Sequence, residues 1–195
     1  MNRLPGQPPL PRAARWKLFS RALAGLGFAL ALMFAPVSRA DEAAEQKVKA
    51  AFVPHLIGFV TFPADAFAAA TDPIRVAVLG NFPLGNEMEK TLAAQAIQGR
   101  AVFIQHYTNA ADTAGCHVLL VGKSEAAQFK SILAATAGKP VLTIGDAEGF
   151  AAAGGVINFL REDGKVRFEI NPTVASAAHL KISSRLLQAA HVIQP

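Results

Sequence analysis

Apolar and polar positions divide the chain into a series of short elements. Near the start of the folded region Val48, Phe52, Leu56 and Phe59 recur at spacings of three and four, which predicts a helix with these residues as its apolar stripe. Asp41, Glu42 and Glu45 stand at its amino end, where the helix dipole favours negative charge. Pro54 removes the bond to the carbonyl of Ala50, so the pattern predicts a kink, a break or two short helices in series. Ile74–Leu79 then reads as a strand ending at Gly80. Beyond it lie a helix over 85–95, a strand over 101–106, a buried strand over 118–121, a helix over 125–137 and another buried strand over 141–144. Short continuous apolar runs alternating with helices predict strands covered on both faces, hence an α/β layered fold.

The last third of the chain reads differently. Val156–Leu160 and Val166–Ile170 flank Asp163-Gly164, a strong two-residue hairpin signal, which sets Glu162 opposite Lys165, Phe159 opposite Phe168, Ile157 opposite Ile170 and Asn158 opposite Glu169. One face of that pair is apolar and the other polar. Asn171-Pro172 supplies an N-cap and a first-turn proline for a helix. Ser183 or Ser184 caps a last helix through Leu186, Leu187, Ala190 and Ile193. The expected architecture is one layered α/β domain with a mixed sheet, a C-terminal antiparallel hairpin and terminal helices.

Composition changes this picture at the amino end. The 195 residues include 19 Lys+Arg and 14 Asp+Glu, a basic balance that would ordinarily point to an anionic partner. Six of the cations (Arg3, Arg12, Arg15, Lys17, Arg21 and Arg39) and none of the acids precede Asp41. Between them runs the apolar stretch Ala22–Ala35, which spans about 21 Å as a helix, short of the ~30 Å hydrocarbon core. Small residues at Ser38 and Ala40 complete a Sec signal over residues 1–40, with cleavage after Ala40 and delivery to the periplasm. The remaining 41–195 form the single working domain. It holds 13 cations against 14 anions, so it has no electrostatic footprint for nucleic acid or for direct membrane binding after cleavage.

Candidate chemistry is sparse. Gly122-Lys123-Ser124-Glu125-Ala126 sits between a strand and a helix, yet it lacks the second glycine of a nucleophile elbow and the glycine a phosphate loop needs at 117. Ser124 reads more simply as an N-cap, and a hydrolase built on it lacks a base and an oxyanion site. Gly80 to Gly85 is a further strand-to-helix glycine turn. The five histidines show no metal-ligand spacing, so no metal or other cofactor is expected. Cys116 is the single cysteine, which excludes an intramolecular disulfide and leaves a buried hydrophobe or a thiol able to pair between molecules. Arg167 and Glu169 share the polar face of the second hairpin strand, and with Asn171 they are the candidate partner or ligand contacts.

The string Phe150–Ile170, continuing through Asn171 and Leu180–Leu187, resembles the YfiR-like family of small periplasmic regulators. Val48–Phe52 with Phe59–Pro63, Val78–Gly80 and Cys116–Val121 resemble the same family's opening helix and central strands. The resemblance implies an α/β repressor without catalytic activity. Such a protein binds the periplasmic sensor region of a membrane-bound diguanylate cyclase, or another sensor protein, as a homodimer, and lowers cyclic di-GMP signalling and biofilm formation. The competing expectation is a periplasmic small-solute binding protein using a strand-end crevice near Gly80 and Gly145.

Overall fold

The structure, a computed structural model, describes residues 39–193. The compact body begins at Ala43, and the preceding unit, Met1–Glu42, lies almost wholly outside the described residues, as does the expected signal segment up to residue 38. Helix α1 (Arg39–Gly58) leads into a two-residue strand β1 (Val60–Thr61). There follow β2 (Ile74–Leu79), α2 (Asn86–Ala94), β3 (Val102–Tyr107), β4 (Val118–Val121), α3 (Phe129–Thr136) and β5 (Leu142–Gly145). The chain ends with β6 (Ile157–Glu162), β7 (Lys165–Ile170), α4 (Pro172–Ala177), β8 (Lys181–Ile182), α5 (Ser184–Ala189) and β9 (His191–Val192).

Seven strands form one mixed sheet in the order β3-β2-β4-β5-β6-β7-β9, and β1 pairs β8 in a separate antiparallel ribbon. From β3 to β6 neighbours run parallel, whereas β7 is antiparallel to β6. β4 and β5 are buried at every position, as strands covered on both faces must be. Alternation divides their side chains: Val76, Val78, Val118, Leu120 and Ile144 join one core with α1, α2, α4 and α5, while Ala77, Leu79, Leu119 and Val121 join a second core with α3 and Phe150.

The hairpin has the predicted register at all four pairs. Asp163 and Gly164 both take positive φ (49° and 73°), the turn whose twist matches that of the strands. Asn171 caps α4 by accepting from the Val174 N–H at 3.1 Å, with Pro172 at the first helical position.

Four expectations are corrected. Helix α1 continues through Pro54 to Gly58, because packing of Val53, Leu56 and Ile57 holds the turn that the missing N–H weakens. Its buried stripe is Ala50, Val53, Leu56 and Ile57, whereas Val48, Phe52 and Phe59 are 43%, 37% and 39% exposed. Both stripes have helical spacing, so periodicity alone could not choose between them. The segment expected as one helix over 125–137 opens as a 3-10 turn, Lys123–Gln128, before α3. The last helix stops at Ala189, and His191–Val192 turns outward to pair with β7.

A buried histidine anchors the long loop before β2. His117 Nδ1 accepts from the Arg75 N–H at 3.0 Å, so the proton sits on Nε2, which donates to the Ala66 carbonyl at 2.9 Å. Its ring stacks on Phe67 at 4.3 Å, and the Arg100 guanidinium lies 3.7 Å from the other partner of that stack, the Phe67 centroid. Burial of the imidazole pulls the His117 pKa below its ordinary value, and the nearby Arg75 and Arg100 act the same way, so the neutral ring is the structural form.

Candidate functional site

At the carboxyl end of β5 the chain leaves the sheet through Asp146, and a cleft of about 630 Å³ opens there. α1 contributes Lys49, β6 its end from Phe159 to Glu162, β7 Glu169 and β9 His191. Lys49 is the hub. Its ammonium donates a short hydrogen bond to Asp146 Oδ1 and pairs with Glu45 Oε1 at 2.7 Å, one turn back on the same helix. The second oxygen of Glu45 accepts from Arg161 Nη1 at 2.9 Å. The Lys49 and Asp146 side chains are 10% and 7% exposed, so this pair is shielded from water and salt.

Burial alone would depress the Lys49 pKa, yet the hydrogen bonds and charges of Asp146 and Glu45 outweigh it and hold the ammonium above the usual lysine value. The hydrogen bond from Lys49 holds Glu45 below the usual carboxylate range against the opposing effect of burial, with Arg161 adding to it.

Asn158, on β6, bonds to two residues that line this cleft. It is fully buried, accepts from the Ala147 N–H at 3.3 Å and donates to Glu169 Oε1 at 2.9 Å. The hairpin's polar face is therefore not simply solvated: one residue of it ties the Asp146 loop to β7. Asp146, Glu148, Glu162 and Glu169 outnumber Lys49 and Arg161 among the lining charges, so the cleft presents a net acidic surface. A second, apolar hollow of about 340 Å³ lies between α3 and α4.

Of the residues singled out in the sequence, Glu169 lines the cleft and Arg167 is exposed on the same strand. Asn171 is buried, spent on the α4 cap and on a bond to the Ala151 carbonyl at 3.3 Å. Lys49, Asp146 and Arg161 escaped sequence reasoning because 97 and 116 residues separate the partners; the one local signal was the four-residue spacing of Glu45 and Lys49.

Gly80 and Gly145, the glycines expected to border a strand-end crevice, are themselves closely packed, and the acidic cleft opens just past Gly145 at Asp146. A side chain at Gly80 would meet Ser124 Oγ at 2.3 Å, and one at Gly145 would meet the Phe150 ring at 2.2 Å. The order reverses between β2 and β4, where open α/β sheets bind ligands; there Gly122 lets its backbone close on Asn81 and Phe82. Ser124 is not an N-cap, since Gly122 holds that position. Its hydroxyl accepts from the Asn81 N–H at 3.1 Å and donates to Glu125, while Asn81 Oδ1 accepts from the Ser124 N–H at 2.9 Å. Ser124→Ala should therefore cost about 0.5–1.5 kcal/mol in urea unfolding and leave partner binding unchanged. A loss of binding without a loss of stability would show that Ser124 does more than close this loop.

Among the described residues no group of three or more His, Cys, Asp and Glu could hold a metal ion, and no helix is long and apolar enough to cross a membrane. Cys116 is half-buried, and burial pushes its thiol up to about 11, so near neutral pH it is a protonated, weakly nucleophilic group.

Residues 46–191 match the YfiR/HmsC-like family model, and the chain belongs to that family. No curated protein matches the sequence. Solved structures that match part of the chain include two of low identity. The ABC domain from Streptococcus pneumonia in complex with L-Trp is 12% identical over 72% of this chain, with a TM-score of 0.49. A conserved domain protein from Vibrio cholerae is 13% identical over 62% of this chain, with a TM-score of 0.43. The chain spans 60% and 55% of those two chains.

Proposed function

We propose that this YfiR/HmsC-like protein is a periplasmic regulator that binds the periplasmic sensor region of an inner-membrane diguanylate cyclase and holds the enzyme inactive, lowering cyclic di-GMP and biofilm formation. The family match over residues 46–191 is the observation that carries this reading. The charge pattern of residues 1–40 supports export, with residues 41–195 as the working domain. The site supports recognition over catalysis. Lys49 and Glu45 are held by each other and by Asp146 and Arg161, and His117 by two backbone groups, so each is committed to a structural partner.

The acidic cleft is the contact surface in this reading, with Glu148 and Glu162 at its exposed rim, Glu169 inside and Arg167 beside it. Such a surface suits basic side chains on the sensor. The regulator can shift the cyclase between active and inactive states only by its difference in affinity for the two.

The test is retention of the cyclase sensor domain by the exported protein, together with a cyclic di-GMP reporter in a deletion strain. Deletion should raise the reporter signal. Retention should weaken with salt, and Glu148→Lys with Glu162→Lys should weaken it roughly tenfold or more at low ionic strength. An unchanged reporter together with no retained sensor domain would refute the regulatory reading. Retention insensitive to both charge reversals would move the contact elsewhere.

A further inference from the structure

The apolar hollow between α3 and α4 lies at the amino end of β5, whereas the acidic cleft opens at the carboxyl end of that strand. Lys130, Leu133, Ala134 and Ala137 line it from α3 and the residue that follows, at the spacing that puts them on one helix face. The segments entering β5 and β6 contribute Val141 and Val156, and α4 contributes Val174. Its volume of about 340 Å³ falls within the range of small-molecule sites, roughly 300–1,000 Å³. The space is open at its two glycines: nothing stands within 4 Å of where a Cβ would be at Gly138 or Gly154, in contrast to the packed Gly145 and Gly155.

Two hydrogen-bond donors of this hollow are unspent. Thr143, 2% exposed, accepts from the Val156 N–H at 2.9 Å through its hydroxyl, yet its own proton reaches no acceptor among the described residues. A buried donor left without a partner costs free energy that a ligand oxygen would recover. Lys130, exposed in the first turn of α3, pairs with no acid and bonds to no carbonyl among the described residues. The lining carries no carboxylate and no aromatic ring.

We propose that this hollow binds an aliphatic carboxylic acid, with its carboxylate shared between Thr143 and Lys130 and its acyl chain along the apolar wall. The free donors set the head group. One carboxylate oxygen accepts from the Thr143 hydroxyl, and the flexible lysine stem lets the ammonium meet the other. The end of α3 that carries Lys130 is also the end whose dipole favours negative charge. A cationic ligand would find no acid in the lining and would meet Lys130 instead. The walls set the body of the ligand. Alanine, valine and leucine side chains bury a flexible chain, and no ring is present on which an aromatic body would stack. This inference does not depend on the regulatory reading.

Calorimetric titration of the exported protein with decanoate, kept below the concentration at which it forms micelles, tests the proposal, with amide chemical shifts followed over the same range. The expected result is saturable binding with shifts centred on Leu133, Val141, Thr143 and Val174. Decanol and decylamine keep the chain and change the head group, and each should bind about tenfold more weakly or worse. Lys130→Glu should weaken decanoate roughly fivefold or more. Ala134→Leu puts a larger side chain into the hollow from an exposed helix position and should weaken it about tenfold or more, with circular dichroism and unfolding like the parent. Absence of saturable binding overturns the proposal, as do shifts centred on the acidic cleft, decylamine binding as tightly as decanoate, or an affinity that survives both substitutions. Tighter binding of an aromatic acid such as indole-3-propionate than of decanoate would overturn the assignment of an aliphatic ligand.

Discussion

Lys49→Met is expected to destabilise the protein by about 3–5 kcal/mol at neutral pH, because it strips the cation from two carboxylates that cannot both return to water. Asp146 is 7% exposed and Glu45 is 18% exposed, and Arg161 reaches only one oxygen of Glu45. The direction with pH follows from the two shifts. Glu45 is depressed in the folded state, so its contribution is present above the ordinary glutamate value and is lost as pH falls through the lowered one. Lys49 is raised, so its contribution is full below the ordinary lysine value and is lost as pH rises through the higher one. The difference between parent and variant should thus be largest between those limits and shrink in acid, as the contribution of Glu45 is lost. Urea unfolding at pH 7 and pH 4 measures it, and an equal difference at both would sink the electrostatic account. Lys49→Met with Asp146→Leu should recover much of the loss, since an apolar pair strands no charge at that position.

Phe150→Ala should cost about 3–5 kcal/mol as well, by a different route. The ring is fully buried, meets Phe129 edge-on at 4.9 Å and lies against two glycines, Gly145 and Gly155, where any side chain would intrude to 2.2 or 2.3 Å. Removing it opens a cavity between β5 and the segment entering β6, and neighbouring glycines have no side chains with which to refill it. At the size of this domain the loss corresponds to a fall in Tm of roughly 10 °C. A double-mutant cycle isolates the contact. Gly145→Ala should be strongly destabilising in the parent and much milder in the Phe150→Ala background, where the ring no longer occupies the space. Additive effects would show that the close approach at Gly145 does not set the cost.

The sequence was informative where the energetics are local. Asp163-Gly164 supports the two positive φ angles of a tight turn, and a two-residue turn leaves one register, so the hairpin was legible down to its opposing pairs. The Asn171 cap was legible for the same reason, since its donor lies three residues away. The resemblance read along residues 150–187 agreed with the family assignment for the same local reason: it follows contiguous strings of residues. Legibility failed where two local solutions were equally good. Helix α1 carries apolar residues around most of its girth, and only the docked sheet decided that Val53 and Ile57 go inward while Phe52 and Phe59 stay at the surface.

By itself, then, the sequence determined the order of the main elements from β2 to β7, the hairpin and the capped C-terminal helices, consequences of backbone preference and periodicity over a few residues, while contiguous residue strings carried the resemblance to the family. Tertiary structure alone decided which face of α1 is buried, that Ser124 and the Phe150 ring pack closely against Gly80 and Gly145, and that Lys49 meets Asp146 across 97 residues of chain. The reason is physical: dispersion, desolvation and ion pairing depend on distance in space, and no local pattern encodes that distance until the sheet brings its strands together.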